Sequence, residues 1–256
     1  MITGFREQQL MEAANALLNA RRTFTPIPDL PTELQPASLE EAYMIQDQMG
    51  VAYGDIGGYK IGAPSADASP VFAPMPRAWM AASGAILNGP RYRFRGIEAE
   101  IAFLVGEDLP PRQTPYTREE VVGALAGCHP AIEELESAFI DPTALPRFTS
   151  FADLQMHGGF IYGPAIPDWQ SIDFAAERVS LTIDGTVRVE RTGSNTSGDL
   201  MRLLPYLANE GAVRTGGLRA GQWITTGSWT GITPAIAAAE VEATFEHAGR
   251  ASLRFE

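Results

Sequence analysis

The sequence predicts an α+β protein in which short N-terminal helices precede a mostly β body. Three observations carry this reading. Residues 1–50 contain two stretches with apolar side chains at helical spacing. Much of the remaining chain alternates apolar and polar residues at the two-residue period of a strand. No internal repeat, low-complexity tract or long linker divides the chain. Its 256 residues, 45% of them hydrophobic, can bury a substantial core. We read one domain over 1–256, with a helical segment at 1–50 and a β-rich body at 51–256.

Taken in order, residues 1–20 read as an amphipathic helix with Phe5, Leu10, Ala13, Leu17 and Leu18 near one face. A connector with Pro26, Pro28, Pro31 and Pro36 comes next. Ser38 then caps a second helix, SLEEAYMIQDQM, with Glu41 at the capping-box position. RGIEAEIAFLVG alternates as a strand. Thr117 and Glu120 repeat the capping pattern and open TREEVVGALAG as a helix. VSLTIDGTVRVE reads as a hairpin turning at Asp184–Gly185, a pair that tolerates the positive φ of a tight turn. DLMRLLPYLANEG is a short helix whose Pro205 belongs in its first turns or bends it. GQWITTGS and VEATFEHAGRASLRF complete the strand-rich body.

Charge and composition narrow the function. A net charge of −12 without a basic tract argues against nucleic acid or an anionic membrane as partner. The single cysteine, Cys128, excludes an internal disulfide and fits a reducing compartment. The charges spread through residues 1–20 fit neither a signal peptide nor a membrane span, so the expected location is the cytoplasm. No P-loop or GxGxxG pattern is present, and no nucleotide is expected.

Lys60, in GGYKIGAPS, is the only lysine among 19 strong cations. An arginine is permanently charged, whereas a lysine ammonium can release and recover a proton, so the position reads as one that needs ammonium chemistry. On the strand RGIEAEIAFLVG, Glu98 and Glu100 share a face with Ala102 and Leu104, while Ile97, Ala99, Ile101 and Phe103 fill the other. The two carboxylates then sit roughly 7 Å apart on an apolar strand. A divalent ion would relieve their repulsion, and oxygen-only ligands favour Mg²⁺ or Mn²⁺ over zinc. A third ligand is available in HPAIEELESAFID, where spacing alone leaves Glu133, Glu134 and Glu136 as alternatives. His157 precedes two glycines that permit close backbone approach to a ligand, yet a lone histidine there reads as structural. His129 and His247 carry no catalytic spacing. TGSWTGITPA suits a pocket wall, and GSNTSG at 193–198 could offer backbone N–H groups to a carboxylate.

In this order the segments SLEEAYMIQDQM, GYKIG, IEAEIAF, HPAIEELES, HGGFIYGP and AGQWITTGSWTG resemble the fumarylacetoacetate hydrolase superfamily. Within it they are similar to the 2-keto-4-pentenoate hydratase / 4-oxalocrotonate decarboxylase group, over about residues 38 to 235. The resemblance implies a mixed β-roll/sandwich core, a homo-oligomer, and Mg²⁺ or Mn²⁺ bound by Glu98, Glu100 and Glu133. It makes Lys60 the active-site lysine. Asp153 becomes the candidate for orienting water or assisting proton transfer, and Ser65, Gly158, Thr226 and Gly227 are candidate substrate contacts. The chain departs from the group where Ala138 replaces an expected arginine and where Met156-His157 stands in place of a serine-containing run.

The implied substrate is a small 2-oxo or 2-hydroxydienoic acid, hydrated to a 4-hydroxy-2-oxo acid. Decarboxylation of a 2-oxo dicarboxylate is the nearest competing reaction. A scaffold that binds a small carboxylate without turnover is a further alternative. Carbon–carbon bond hydrolysis ranks lower, because relatives that perform it use a histidine on an N-terminal segment and no histidine here precedes residue 129.

Overall fold

The computed structural model describes residues 4–256, and two sheets form its frame. The larger, eight-stranded sheet contains β1 (Ile56–Gly62), β2 (Val71–Pro76), β3 (Met80–Ala82), β5 (Gly96–Val105), β6 (Leu125–Leu135), β7 (His157–Tyr162), β10 (Trp223–Thr225) and β11 (Thr233–Pro234). The smaller, five-stranded sheet contains β4 (Ala85–Leu87), β8 (Arg178–Ile183), β9 (Thr186–Thr192), β12 (Glu240–Phe245) and β13 (Gly249–Phe255). Strand order in the first is β2-β1-β10-β5-β6-β7-β3, with β11 also beside β5; in the second it is β4-β13-β12-β8-β9. The pairs β1–β10, β3–β7 and β4–β13 are parallel and the others antiparallel, so the expected mixed α+β architecture is the one observed.

The alternation of β5 organises both layers. Ile97, Ala99, Ile101 and Phe103 are buried in one core with Leu181, Val241, Ala243 and Leu253 of the smaller sheet. The other face of β5 turns Glu98, Glu100 and Ala102 inward, and Ala102 packs with Met75, Ala131, Phe160 and Trp223 in a second apolar cluster. The hairpin turns where expected, with Asp184 at φ 51° and Gly185 at φ 70°.

A helical layer covers the larger sheet. Leu10, Ala13, Ala14 and Leu17 of α1 (Gly4–Thr23) pack with Ile45 and Met49 of α2 (Leu39–Tyr53) and with Phe151 of α4 (Arg147–Ala152). Phe5 is 73% exposed and so stands outside the apolar face expected for it, while residues 1–3 of the expected helix lie outside the described residues. Ser38 accepts the Glu41 N–H as expected, but the Glu41 carboxylate turns to the Ala37 N–H and to Arg6. The box of Thr117 and Glu120 closes in both directions on α3 (Arg118–Gly123). That helix stops short of the expected span because pairing with β5 captures Leu125–Gly127, and the Ala124 carbonyl accepts the Gly106 and Glu107 N–H groups. Pro205 falls in the first turn of α5 (Leu203–Asn209), where its missing N–H costs no helical bond. A last short helix is α6 (Ala212–Thr215). Among the described residues no helix is long and apolar enough to cross a membrane.

One buried ion pair ties the helical layer to the sheet. Arg21, near the end of α1, donates through Nε to Asp153 Oδ1 at 2.5 Å and through its other nitrogens to the carbonyls of His157, Glu136 and Asp153. Asp153 Oδ2 accepts the Ser137 hydroxyl and the Ala138 N–H, both at 2.7 Å. The next three residues, Leu154, Gln155 and Met156, have φ of 52°, 51° and 63°, a left-handed run without glycine. Each such residue costs about 1–2 kcal/mol, so the run persists only because its surroundings fix it. Met156 donates its N–H to the Asp153 carbonyl, and its own carbonyl accepts the Glu136 N–H.

Asp153→Ala is expected to lower stability by about 3–5 kcal/mol, because it leaves the buried Arg21 guanidinium without a counter-charge. A urea denaturation midpoint reads this directly, and a midpoint within error of the parent would contradict the role given to the pair.

Candidate metal centre

Register brings three carboxylates to one place. Glu98 and Glu100 lie two residues apart on the inner face of β5, and the β5–β6 ladder sets Glu133 directly across from Glu98. Oxygen atoms of the three lie within 4.8 Å of one another. Glu100 and Glu133 are buried and Glu98 is half-buried. Each neighbouring strand adds a partner. Thr225, on β10, donates its hydroxyl to Glu100 Oε2, which also accepts the Gly227 N–H at 3.1 Å. Lys60 on β1, in register with Thr225, places Nζ 2.7 Å from Glu133 Oε1. The Gln155 carbonyl, in the left-handed run, accepts from the same ammonium at 3.1 Å.

His157, at the start of β7, donates Nδ1–H to Glu133 Oε1 at 2.8 Å. Its ring stacks on Trp79 with centroids 5.8 Å apart. Glu133 Oε1 thus receives two donors while Oε2, equally buried, has none. A buried carboxylate oxygen without a donor is costly, and Oε2 belongs to the same residue that completes the three-carboxylate cluster. An all-oxygen set with such an atom fits a hard divalent ion such as Mg²⁺ or Mn²⁺.

The electrostatics agree. Burial, joined by the charges of Glu133 and Glu98, holds Glu100 well above the ordinary carboxylate range. Burial also raises Glu98 against the pull of Lys60, with the Glu133 charge adding to the rise. Burial opposes ionisation of Glu133, yet Lys60 and the His157 hydrogen bond outweigh it and lower its pKa. For Lys60, burial disfavours the ammonium, but the surrounding carboxylates, Glu133 foremost, outweigh it and raise the pKa. The lysine of this pocket is therefore held protonated, opposite to the depression that burial alone would give.

The other two glutamates of HPAIEELES take different work. Glu134 points to the opposite face of β6, buried and without a hydrogen-bond donor, where burial and then the Glu136 charge push it to about 8. Glu136 accepts the backbone N–H groups of Arg93, Phe94 and Ser137 and anchors that loop.

Several expected contacts are placed elsewhere. Asp153 has both oxygens engaged by Arg21, Ser137 and Ala138, which gives it an anchoring role. The Thr226 hydroxyl is buried and donates to the Ile101 carbonyl. Gly158 permits close approach of Glu134 and Glu136, since a Cβ there would collide with Glu134 Oε2 and lie 2.9 Å from the Glu136 nitrogen. Ser65 is exposed in the loop after β1, where its carbonyl accepts from Arg202. Gly227 does sit at the cluster, through its N–H to Glu100. GSNTSG works as a clasp rather than an anion loop. Asn195 Nδ2 donates to the carbonyls of Thr226 and Gly227, Ser197 Oγ accepts the Ala63 N–H, and Thr196 Oγ1 donates to the Ala63 carbonyl. Sequence reasoning missed His157, Gln155 and Thr225 as partners of the cluster; only the two glycines after His157 hinted at a tight environment.

No protein-family model matches the chain. It is 30% identical over 159 residues to a 2-hydroxyhexa-2,4-dienoate hydratase from Comamonas testosteroni, across 62% of this chain and 59% of that protein. The match therefore spans less than two thirds of that relative's length. Its fold is similar to that of 4-oxalocrotonate decarboxylase from Pseudomonas putida G7, solved with magnesium and adipate: the TM-score is 0.83 at 21% identity, covering 97% of this chain and 98% of the other. A protein from Yersinia pestis CO92 described as of the fumarylacetoacetate hydrolase family gives a TM-score of 0.58 at 20% identity, covering 77% of this chain and 91% of that one. The chain has the fumarylacetoacetate hydrolase fold, and its likeness to the hydratase and decarboxylase group holds in sequence and in structure.

Calorimetric titration of Mn²⁺ into chelator-stripped protein should read one ion per chain. Glu100→Gln should weaken it by about a hundredfold or more, since loss of even an outer partner of a ligand costs up to that much. Unchanged affinity in both Glu100→Gln and Glu133→Gln would rule out this centre.

Proposed function

We propose that the chain is a metal-dependent hydratase that adds water to a 2-hydroxy-2,4-dienoate to give a 4-hydroxy-2-oxo acid, with Mg²⁺ or Mn²⁺ held by Glu98, Glu100 and Glu133. The observation that carries this reading is the Lys60 ammonium at 2.7 Å from Glu133, a proton donor beside a three-carboxylate pocket. A bound divalent ion supplies Lewis acidity toward the carboxylate and C2 oxygens of a 2-oxo acid.

Three carboxylates exceed the charge of such an ion by one unit, and Lys60 offsets the excess. Its ammonium, steered by the Gln155 carbonyl, donates to a substrate oxygen as negative charge grows there. In hydration of 2-hydroxypenta-2,4-dienoate the dienol ketonises, with loss of the C2 O–H proton and protonation at C5, and water then adds its oxygen at C4 and its proton at C3. In this reading Lys60 hands a proton between oxygen and carbon, which a lysine can do and an arginine cannot. Loss of carbon dioxide from a 2-oxo dicarboxylate is the second reading, favoured by the full-length likeness to the decarboxylase.

The test uses chelator-stripped protein with a panel of 2-hydroxydienoic and 2-oxo acids, with and without Mg²⁺ or Mn²⁺. The hydratase reading expects metal-restored loss of dienol absorbance without carbon dioxide; release of carbon dioxide would select the decarboxylase, and no turnover with either ion would remove both. Lys60→Arg should keep ion affinity while losing about 10²–10⁴-fold in kcat, the usual worth of a positioned acid or base. Near-normal turnover in that variant would end the proton-transfer role.

A further inference from the structure

A cavity of about 640 Å³ lies where the end of α1, the end of α2 and the loop before β5 converge. Its size falls within the roughly 300–1,000 Å³ typical of small-molecule sites. Glu98, Glu100, Glu133 and Lys60 do not line it. A link between the two places is Trp79, which lines the cavity and stacks on His157.

Four arginines, Arg21, Arg22, Arg91 and Arg93, line this cavity on a chain whose net charge is −12. Gathered guanidinium groups repel one another, and a concave low-dielectric wall concentrates their field. Two have carboxylate partners: Arg21 pairs with Asp153, and Arg93 lies 3.5 Å from Glu136. Arg22 and Arg91 make no ion pair among the described residues. Arg91 donates one N–H to the Gly158 carbonyl, and its guanidinium carbon lies over two aromatic rings, 4.5 Å from the Trp79 centroid and 5.0 Å from that of Tyr92. Tyr53 meets Trp79 edge-on at 4.6 Å, so the cavity combines surplus positive charge with aromatic surface.

We propose that this cavity is a second binding site, for a small planar carboxylate whose anionic end pairs with Arg91 and Arg22 and whose flat body lies against Tyr53, Leu18 and Phe24, since His157 and Arg91 already cover Trp79. A guanidinium fork matches a carboxylate in two parallel hydrogen bonds, and an aromatic wall favours a conjugated body over a saturated one. Its lining shares no residue with the carboxylate cluster, so it stands or falls separately from the hydratase reading.

The experiment is calorimetric titration of terephthalate into the whole chain, stripped of metal by chelator. Saturable binding at one per chain is expected, unaltered by Mg²⁺ and at least about tenfold weaker in Arg22→Glu and in Arg91→Met, as loss of a charge-assisted contact requires. Arg22 is exposed, so its reversal tests charge without disturbing packing. Cyclohexane-1,4-dicarboxylate, the saturated analogue, should bind several-fold more weakly. Binding that needs Mg²⁺ would put the ligand on the carboxylate cluster and overturn the proposal. Equal affinity in both variants, or no binding by the folded parent protein, would overturn it as well.

Discussion

Three carboxylates with oxygens within 4.8 Å of one another repel strongly in a buried setting, and the surrounding architecture is arranged to keep them there. The β5–β6 register fixes the distance between Glu98 and Glu133 through backbone hydrogen bonds, which side-chain repulsion cannot easily break. Thr225 and the Gly227 N–H orient Glu100 from the far side. Lys60 supplies the compensating charge from β1, and the parallel pairing of β1 with β10 brings Lys60 and Thr225 level with each other. In this order β1-β10-β5-β6, loss of β10 would take Thr225 from Glu100, and loss of β1 would take Lys60 from Glu133.

The same constraint explains why the chain tolerates unfavourable backbone. Leu154, Gln155 and Met156 occupy left-handed conformations that side chains with a Cβ avoid. This path brings the Gln155 carbonyl to Lys60 and starts β7 with His157 against Glu133. Arg21 and Asp153 bind both flanks of the run, so packing of the helical layer offsets strain beside the cluster. The N-terminal helices are in this sense part of the site, although none of the three carboxylates comes from them.

Legibility in the sequence tracks the range of the forces involved. The shared face of Glu98 and Glu100 is a local property of a strand and was legible from alternation. So were the Asp184–Gly185 turn, the Thr117 capping box and the place of Pro205. The choice of Glu133 over Glu134 and Glu136 depends on cross-strand register, which spacing alone leaves open; the family resemblance pointed to Glu133. Arg21 with Asp153, and His157 with Glu133, join distant segments and have no local pattern. The left-handed run has no glycine to announce it. GSNTSG was legible as a loop rich in hydrogen-bonding groups, but its acceptors lie on two other loops, so its clasping role required the assembled fold.

That clasp has a consequence for the order in which the protein can become whole. Asn195, Thr196 and Ser197 bridge the loop after β1 to the loop after β10, segments that are remote in sequence. Contacts of such long sequence separation form late, after loop-closure entropy has been overcome. A nascent chain that has emerged only through β6 already carries Glu98, Glu100, Glu133 and Lys60, yet lacks Thr225, Gly227 and the clasp. The carboxylate cluster therefore gains its full set of partners only at the end of synthesis, when the ribosome has released the strands that turn three repelling acids into a cradle.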